Sequence, residues 1–86
     1  MYSVYVIQHS DTKQIYIGRT NNLKRRIREH NASQQEATRR VVGEWILIYA
    51  EAYRSKDDAV KRELRLKQHG RAKQELLKRV ESSQIH

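Results

Sequence analysis

The 86-residue sequence contains no cysteine and no phenylalanine, and only one tryptophan and three glycines. Because cysteine is absent, neither a disulfide nor a thiolate zinc site can stabilise the fold. No apolar run approaches the roughly 20 residues that a membrane helix needs, and the apolar run 2–7 is too short for a signal peptide. We therefore expect a single domain, residues 1–86, that is soluble and cytoplasmic and has a small core.

Acidic residues are also scarce: 10 Asp and Glu stand against 18 Lys and Arg, which gives a net charge of +8. Before Arg19 the only charged residues are Asp11 and Lys13. Within the next ten residues there are five basic side chains: Arg19, Lys24, Arg25, Arg26 and Arg28. Such clustering is typical of nucleic-acid-binding proteins. A solvated basic face and docking onto an acidic protein remain alternatives, whereas membrane-surface binding is disfavoured because the basic helices lack an opposing Trp or Phe.

The sequence pattern predicts a small α+β fold. Runs rich in β-branched and aromatic residues predict strands at 2–8, 15–17 and 44–53, with Gly18 ending the second strand. The first long helix is predicted to begin near Asn22 and to be capped by Thr20 or Asn21. This order predicts a three-stranded antiparallel sheet with helices packed on it.

A second long helix is predicted to begin at a capping box formed by Ser55–Asp58 and to end at Gly70. A short amphipathic helix should follow over 72–80. The segment 32–43 has no clear pattern, and 36–42 is a candidate for a short helix.

Three chemically useful side chains are predicted to lie close together. Tyr16 is near the end of the second strand, while Arg26 and His30 share one face of the helix that follows. A hydroxyl, a guanidinium and an imidazole are the groups that phosphodiester chemistry uses as proton acceptor, fixed charge and hydrogen-bond donor. Taken singly, each residue also has an ordinary structural explanation, such as a hydrogen-bonded core histidine.

Glu63 is the other unusual position, because helical geometry places it between Ala59 and Val60 on the inward face of the second helix. A carboxylate on an inward face is costly unless it is paired or coordinates a cation. An ion pair with Arg62, Lys67 or another helix and a metal site are both consistent with this position.

These segments together resemble the GIY-YIG nuclease domain, in particular the small stand-alone proteins related to the N-terminal nuclease domain of the UvrC excision-repair subunit. The first signature is present as Ser3-Val4-Tyr5, with Ser in place of the usual Gly, and the second is intact as Tyr16-Ile17-Gly18. The remaining matched positions are Thr20, Leu23, Arg26, His30 and Asn31 on the helix, Thr38-Arg39-Arg40, Trp45 and Leu47, and 59–63 with Leu66-Lys67. Many members have an Asn after the glutamate, where this chain has Glu75.

The resemblance implies a metal-dependent endonuclease that hydrolyses phosphodiester bonds. Tyr16 would activate the attacking water and Tyr5 would orient it. Arg26 would hold the scissile phosphate, and His30 would donate to a phosphate oxygen or relay a proton. Glu63 would bind one divalent cation, Mg²⁺ or alternatively Mn²⁺, whose other ligands are water and phosphate oxygens.

The implied partner is nucleic acid, expected to be DNA, with RNA not excluded by the sequence. The residues expected to contact it are Arg19, Lys24, Arg25, Arg28, Arg39 and Arg40. Members of the family generally gain target specificity from attached domains, so we expect this chain to use its own basic surface, a protein partner or weak binding. DNA repair or recombination is the expected setting. The alternative is a nucleic-acid-binding module that keeps the fold without catalysis.

Overall fold

The computed structural model describes the backbone of residues 1–37 and 43–85, and the side chains of all of these except 33–37. The elements in chain order are β1 (Tyr2–His9), β2 (Ile15–Thr20), α1 (Leu23–Ala37), β3 (Trp45–Tyr53), α2 (Lys56–Gln68), α3 (Gly70–Arg79) and a final 3₁₀ turn (Glu81–Ser83). Both strand pairs are antiparallel and the strand order is β2-β1-β3. The predicted α+β class with a three-stranded antiparallel sheet is confirmed.

The two faces of the sheet are distinguished along β1, because successive side chains of a strand point to opposite faces. Val4 and Val6 belong to the main hydrophobic core, where α2 packs on the sheet and α3 packs on α2. The other buried members of that core are Ile17, Ile48, Ala59, Leu66 and Leu76. Tyr5 and Ile7 point the other way, toward the face on which His30 of α1 lies. The helices therefore cover both faces of the sheet.

Strand β2 is longer than predicted, since it continues through Gly18 to Thr20. Gly18 lies directly opposite Tyr5 in the β1–β2 register. A Cβ at position 18 would overlap the Tyr5 hydroxyl and lie 2.6 Å from the Tyr5 Cζ atom. The glycine is thus explained by the close approach of a phenol within the sheet and not by a strand end.

The N-terminus of α1 is capped by Asn22, and the prediction of Thr20 or Asn21 as the cap was wrong. The Asn22 Oδ1 atom accepts a hydrogen bond from the backbone N–H of Arg25 at 3.1 Å. Thr20 instead accepts from the backbone N–H of Asn22 at 3.1 Å, which orders the turn before the helix. α1 continues to Ala37, and the rest of the predicted short helix lies outside the described residues.

The predicted ends of α2 also need correction. Ser55 occupies the N-cap position, but its side chain makes no capping hydrogen bond to the described residues. Gly70 does not stop α2; it is the first residue of α3, and the break between the two helices is the extended residue His69. Helix α3 therefore begins two residues before the predicted position. No helix among the described residues is long and apolar enough to cross a membrane.

A polar cluster attaches α2 to β3 on the core face. The Glu51 carboxylate accepts two hydrogen bonds from Arg62, at 2.8 and 3.1 Å, and one each from the hydroxyls of Tyr49 and Tyr53, at 2.7 and 2.6 Å. Burial raises the pKa of Glu51, but these hydrogen bonds outweigh it and hold the pKa below its ordinary value. The paired guanidinium fixes the rotation of α2 and hence the direction of the next residue, Glu63.

Candidate active site

Tyr5 is the centre of the site. Its side chain is almost fully buried, and its hydroxyl lies 2.9 Å from Nε2 of His30, at hydrogen-bond distance. The absence of a side chain at Gly18 makes room for this hydroxyl. Residues from β1, β2 and α1 therefore meet at one point.

Tyr16 lies beside this pair on the same face of the sheet. Its ring centroid is 6.3 Å from that of Tyr5 and 4.7 Å from that of His30, which it meets edge to face. Unlike Tyr5, Tyr16 is only half-buried. Because β2 is an edge strand, the half-buried phenol lies at the rim of the sheet.

Arg26 lies one helical turn before His30 and completes the group. Its guanidinium interacts with the hydroxyls of both Tyr5 and Tyr16, and it also forms a long ion pair of 3.6 Å with Glu29. The side chain is partly exposed, so a cation that interacts with both phenols remains open to solvent.

The environment changes the protonation of these groups. Burial raises the pKa of Tyr5 above its ordinary 10.0, although the Arg26 guanidinium opposes the rise. Burial also lowers the pKa of His30 below 6.5, and the positive charge of Arg26 lowers it further. The hydrogen-bonding interaction with Tyr5 raises the pKa of Arg26. Near neutral pH the cluster therefore consists of a neutral phenol, a neutral imidazole and a charged guanidinium.

Glu63 belongs to α2, which packs on the core face of the sheet, and it is linked to Tyr16 through Lys67. Both of its carboxylate oxygens are paired. Its Oε1 atom accepts from Nε of Arg19 at 3.1 Å, and its Oε2 atom accepts from Nζ of Lys67 at 3.0 Å. The Lys67 ammonium is also 5.7 Å from the centre of the Tyr16 ring, and the charge of Glu63 contributes to the raised pKa of Tyr5. Only 14% of the Glu63 side chain is exposed. The two cations offset the electrostatic cost of burying its carboxylate.

The donor set for a metal is small. Among the described residues, no group of three or more His, Asp or Glu side chains is arranged to hold a metal ion. A single carboxylate does fit Mg²⁺, which usually keeps several waters and uses one or two carboxylates together with substrate phosphates. The residues present are therefore compatible with a hydrated Mg²⁺ at Glu63, provided that the carboxylate is released from its cations.

The predicted nucleic-acid contacts fall into three groups. Lys24, Arg25 and Arg28 are exposed on α1. Arg19 is engaged with Glu63. Arg39 and Arg40 lie outside the described residues.

Two residues to which the sequence analysis assigned no chemical role contribute to the site. Lys67 was considered only as an ion-pair partner, although it contacts both Glu63 and the Tyr16 ring; its spacing of four residues from Glu63 is the signal for that contact. Trp45 at the start of β3 packs near Tyr16 and His30, with ring centroids 6.3 and 6.2 Å away. The Asn31 side chain accepts from the Trp45 N–H at 2.8 Å and donates to the Trp45 carbonyl at 3.3 Å, which fixes the tryptophan.

Comparison with known proteins identifies the family of the chain. The model of the GIY-YIG catalytic domain matches residues 1–76. A UPF0213 protein of Halobacterium salinarum is 40% identical over 90% of this chain and 99% of its own length. A UPF0213 protein of Staphylococcus haemolyticus is 37% identical over 91% of this chain and 92% of its own length.

A third relative is longer than the aligned region. A UPF0213 protein of Desulfotalea psychrophila is 42% identical over 76% of this chain, but the match spans 59% of its own length. No solved structure matches the chain significantly. The family match covers both signatures, the helix with Arg26 and His30, and Glu63, and the chain therefore belongs to the GIY-YIG nuclease family.

Proposed function

We propose that this protein is a metal-dependent endonuclease that hydrolyses phosphodiester bonds in DNA. The observation that supports it most is the meeting of two phenols, an imidazole and a guanidinium at the rim of the sheet, to which the Glu63 carboxylate is linked through Lys67. A hydrophobic core does not require two phenols, an imidazole and a guanidinium at one point. Attack on a phosphodiester needs a proton acceptor, a cation for the developing charge and a group that protonates or orients oxygens.

Tyr16, acting as a phenolate, is our choice for the group that accepts the proton of the attacking water; the cations of Arg26 and Lys67 would stabilise that anion. It is half-buried and so within reach of solvent and substrate. Tyr5 is a poorer candidate because burial raises its pKa and its hydroxyl is already bonded to His30. We assign Tyr5 the task of orienting the water and the imidazole.

Arg26 and His30 are assigned to the phosphate. A guanidinium held at the two phenols would contact the scissile phosphate and stabilise the charge that develops on its oxygens. The lowered pKa leaves His30 neutral near pH 7, with one ring N–H that donates to a phosphate oxygen or relays a proton. Glu63 would hold Mg²⁺ or Mn²⁺, and the cation would supply charge neutralisation at the phosphate.

The wider assignments belong to the same proposal. Residues 1–86 would act as one nuclease domain, with Lys24, Arg25 and Arg28 contacting the DNA backbone and Arg39 and Arg40 adding to that surface. Target choice would come from this surface or from a protein partner. We propose that the nuclease acts in the cytoplasm, in DNA repair or recombination.

A binding module without catalysis is the second candidate, because both Glu63 oxygens are engaged by cations of the same chain. In that case the carboxylate is a structural ion-pair partner and the basic residues alone bind nucleic acid. The two candidates differ in what Glu63 does when a divalent cation is present.

The deciding experiment incubates the protein with labelled single-stranded, duplex, flapped and branched DNA, and with RNA, in Mg²⁺, Mn²⁺ or chelator. A nuclease should cleave one of these only with metal. Glu63→Gln should abolish cleavage with unchanged or slightly tighter binding, whereas Arg26→Ala should lose cleavage and bind more weakly. If the wild type cleaves no substrate and Glu63→Gln behaves identically, the binding module is the correct account.

A further inference from the structure

Glu63 is held by a pair of cations that approach it from different elements. Arg19 comes from the edge strand β2 and bonds one carboxylate oxygen at 3.1 Å, while Lys67 comes from the next turn of α2 and bonds the other at 3.0 Å. With each oxygen engaged by a full positive charge, a divalent cation at the same carboxylate would face strong repulsion at short range. Cation binding at Glu63 therefore requires that Arg19, Lys67 or both move away.

Both cations have room to move. The side chains of Arg19 and Lys67 are 32% and 44% exposed, whereas that of Glu63 is 14% exposed. The Glu63 carboxylate is thus largely enclosed, whereas Arg19 and Lys67 have long flexible side chains that extend into solvent. Partly exposed ion pairs contribute little to stability, so little free energy is lost when such a pair is broken.

A substrate phosphate would be an alternative partner for these cations. The Lys67 ammonium lies over the Tyr16 ring, 5.7 Å from its centre. A phosphate bound beside Tyr16 and Arg26 would therefore present oxygens within reach of Lys67. Arg19 follows Tyr16 by three residues on the same edge strand, β2, so its side chain lies at the same edge of the sheet. Arginine and lysine side chains both bind phosphate readily.

We propose that Arg19 and Lys67 are exchangeable counter-ions of Glu63, which transfer to the substrate phosphate and so release the carboxylate for a divalent cation. This inference rests on the proposed function for the identity of the anion, a nucleic-acid phosphodiester. It gives Lys67 a role in the site and makes cation binding dependent on substrate. Before substrate arrives, the protein holds the cation weakly.

Coupling of this kind is reciprocal, because each ligand must change the affinity of the other by the same factor. Phosphate that draws Arg19 and Lys67 away should strengthen cation binding at Glu63. A cation at Glu63 should in turn free both side chains for phosphate. Loss of either counter-ion should raise the cation affinity of the free protein and reduce the coupling.

The test measures Mn²⁺ affinity of the free protein by titration calorimetry and by paramagnetic resonance of unbound Mn²⁺, with no cleavage involved. The variants are Arg19→Gln, Lys67→Gln and Glu63→Gln. Lys61→Gln is the matched control, since Lys61 is exposed on the same helix two residues before Glu63. Circular dichroism verifies that each variant is folded.

We expect Arg19→Gln and Lys67→Gln each to raise Mn²⁺ affinity by about two- to five-fold, the scale of a partly exposed ion pair. Lys61→Gln should change it by less than about 1.5-fold because its charge is screened by solvent. Glu63→Gln should abolish the site. Equal affinities for the Lys67 and Lys61 variants, or no Mn²⁺ binding by any variant, would overturn the inference.

A second titration adds a short phosphorothioate DNA oligomer, which resists hydrolysis, with the Glu63→Gln protein correcting for Mn²⁺ bound by the DNA. The oligomer should increase the Mn²⁺ affinity of the wild type and have a smaller effect on the Arg19→Gln, Lys67→Gln double variant. Equal effects would contradict the exchange. Cleavage without this coupling would refute only the inference, and coupling without cleavage would refute only the proposed nuclease activity.

Discussion

Replacing Gly18 by alanine tests the link between the second signature and the buried tyrosine. The new Cβ would overlap the Tyr5 hydroxyl and lie 2.6 Å from Cζ of Tyr5 and 2.9 Å from Cε1 of Tyr16. Overpacking of this kind costs about 1–3 kcal/mol, and because alanine loses less backbone entropy than glycine on folding, about 0.5–1 kcal/mol of this cost is offset. The net loss of up to about 2.5 kcal/mol corresponds to a Tm lower by up to roughly 10–20 °C for a domain of this size.

The same substitution should also separate Tyr5 from His30, because the phenol must move to admit the methyl group. The assay combines thermal unfolding with DNA cleavage. Gly70→Ala is the matched control: a Cβ there meets nothing within 4 Å among the described residues, and Gly70 lacks a positive φ. That change should be neutral or stabilising by up to about 1 kcal/mol. Equal stability of the two variants would refute the role assigned to Gly18.

Three further predictions concern charge. Arg62→Ala should lower the free energy of unfolding by about 1–3 kcal/mol, because Glu51 loses a paired guanidinium in a partly buried place. Arg71→Ala, whose pair with Glu75 is 91% and 66% exposed, should cost less than about 0.5 kcal/mol in the same denaturant titration; equal costs would contradict the reasoning. Burial and the Glu51 hydrogen bond raise the pKa of Tyr53 from 10.0 to about 12, so the neutral phenol stabilises the fold fully below pH 10 and this contribution is lost between pH 10 and 12. Tyr53→Phe should reduce the loss of unfolding free energy between pH 10 and 12. If the pH dependence of stability is the same as in the wild type, Tyr53 does not make this contribution. Replacing Lys24, Arg25 and Arg28 by alanine should flatten the salt dependence of DNA affinity by a log–log slope of up to about 2.7 while cleavage persists at low salt; a wild-type affinity independent of salt would remove the case for phosphate contacts.

Much of the fold could be predicted because its signals are local. The β-rich runs predicted all three strands and their antiparallel order, and helical periodicity placed Arg26 and His30 on one face. Errors occurred where a boundary depends on tertiary contact. Gly18 was expected to end a strand, whereas its neighbour across the sheet explains it.

The ends of the helices show the same limit. Asn22, Thr20 and Asn21 all have side chains that can cap, and only the turn geometry selects Asn22. Gly70 is a typical helix stop, yet the break occurs one residue earlier, at His69. The pairing of Glu63 with Arg19 joins residues 44 positions apart, so no local pattern could have indicated it.

The most direct test of the proposed active site is the cleavage rate of Tyr16→Phe in saturating metal. This change removes one hydroxyl from the cluster and leaves the ring in place. Tyr2→Phe is the control, since Tyr2 packs against the opposite, core face of the sheet. We predict that Tyr16→Phe lowers the rate by about 10²–10⁴-fold with little change in DNA affinity, and that Tyr2→Phe retains wild-type activity. Cleavage by Tyr16→Phe at the wild-type rate would contradict the assignment of this cluster as the catalytic centre.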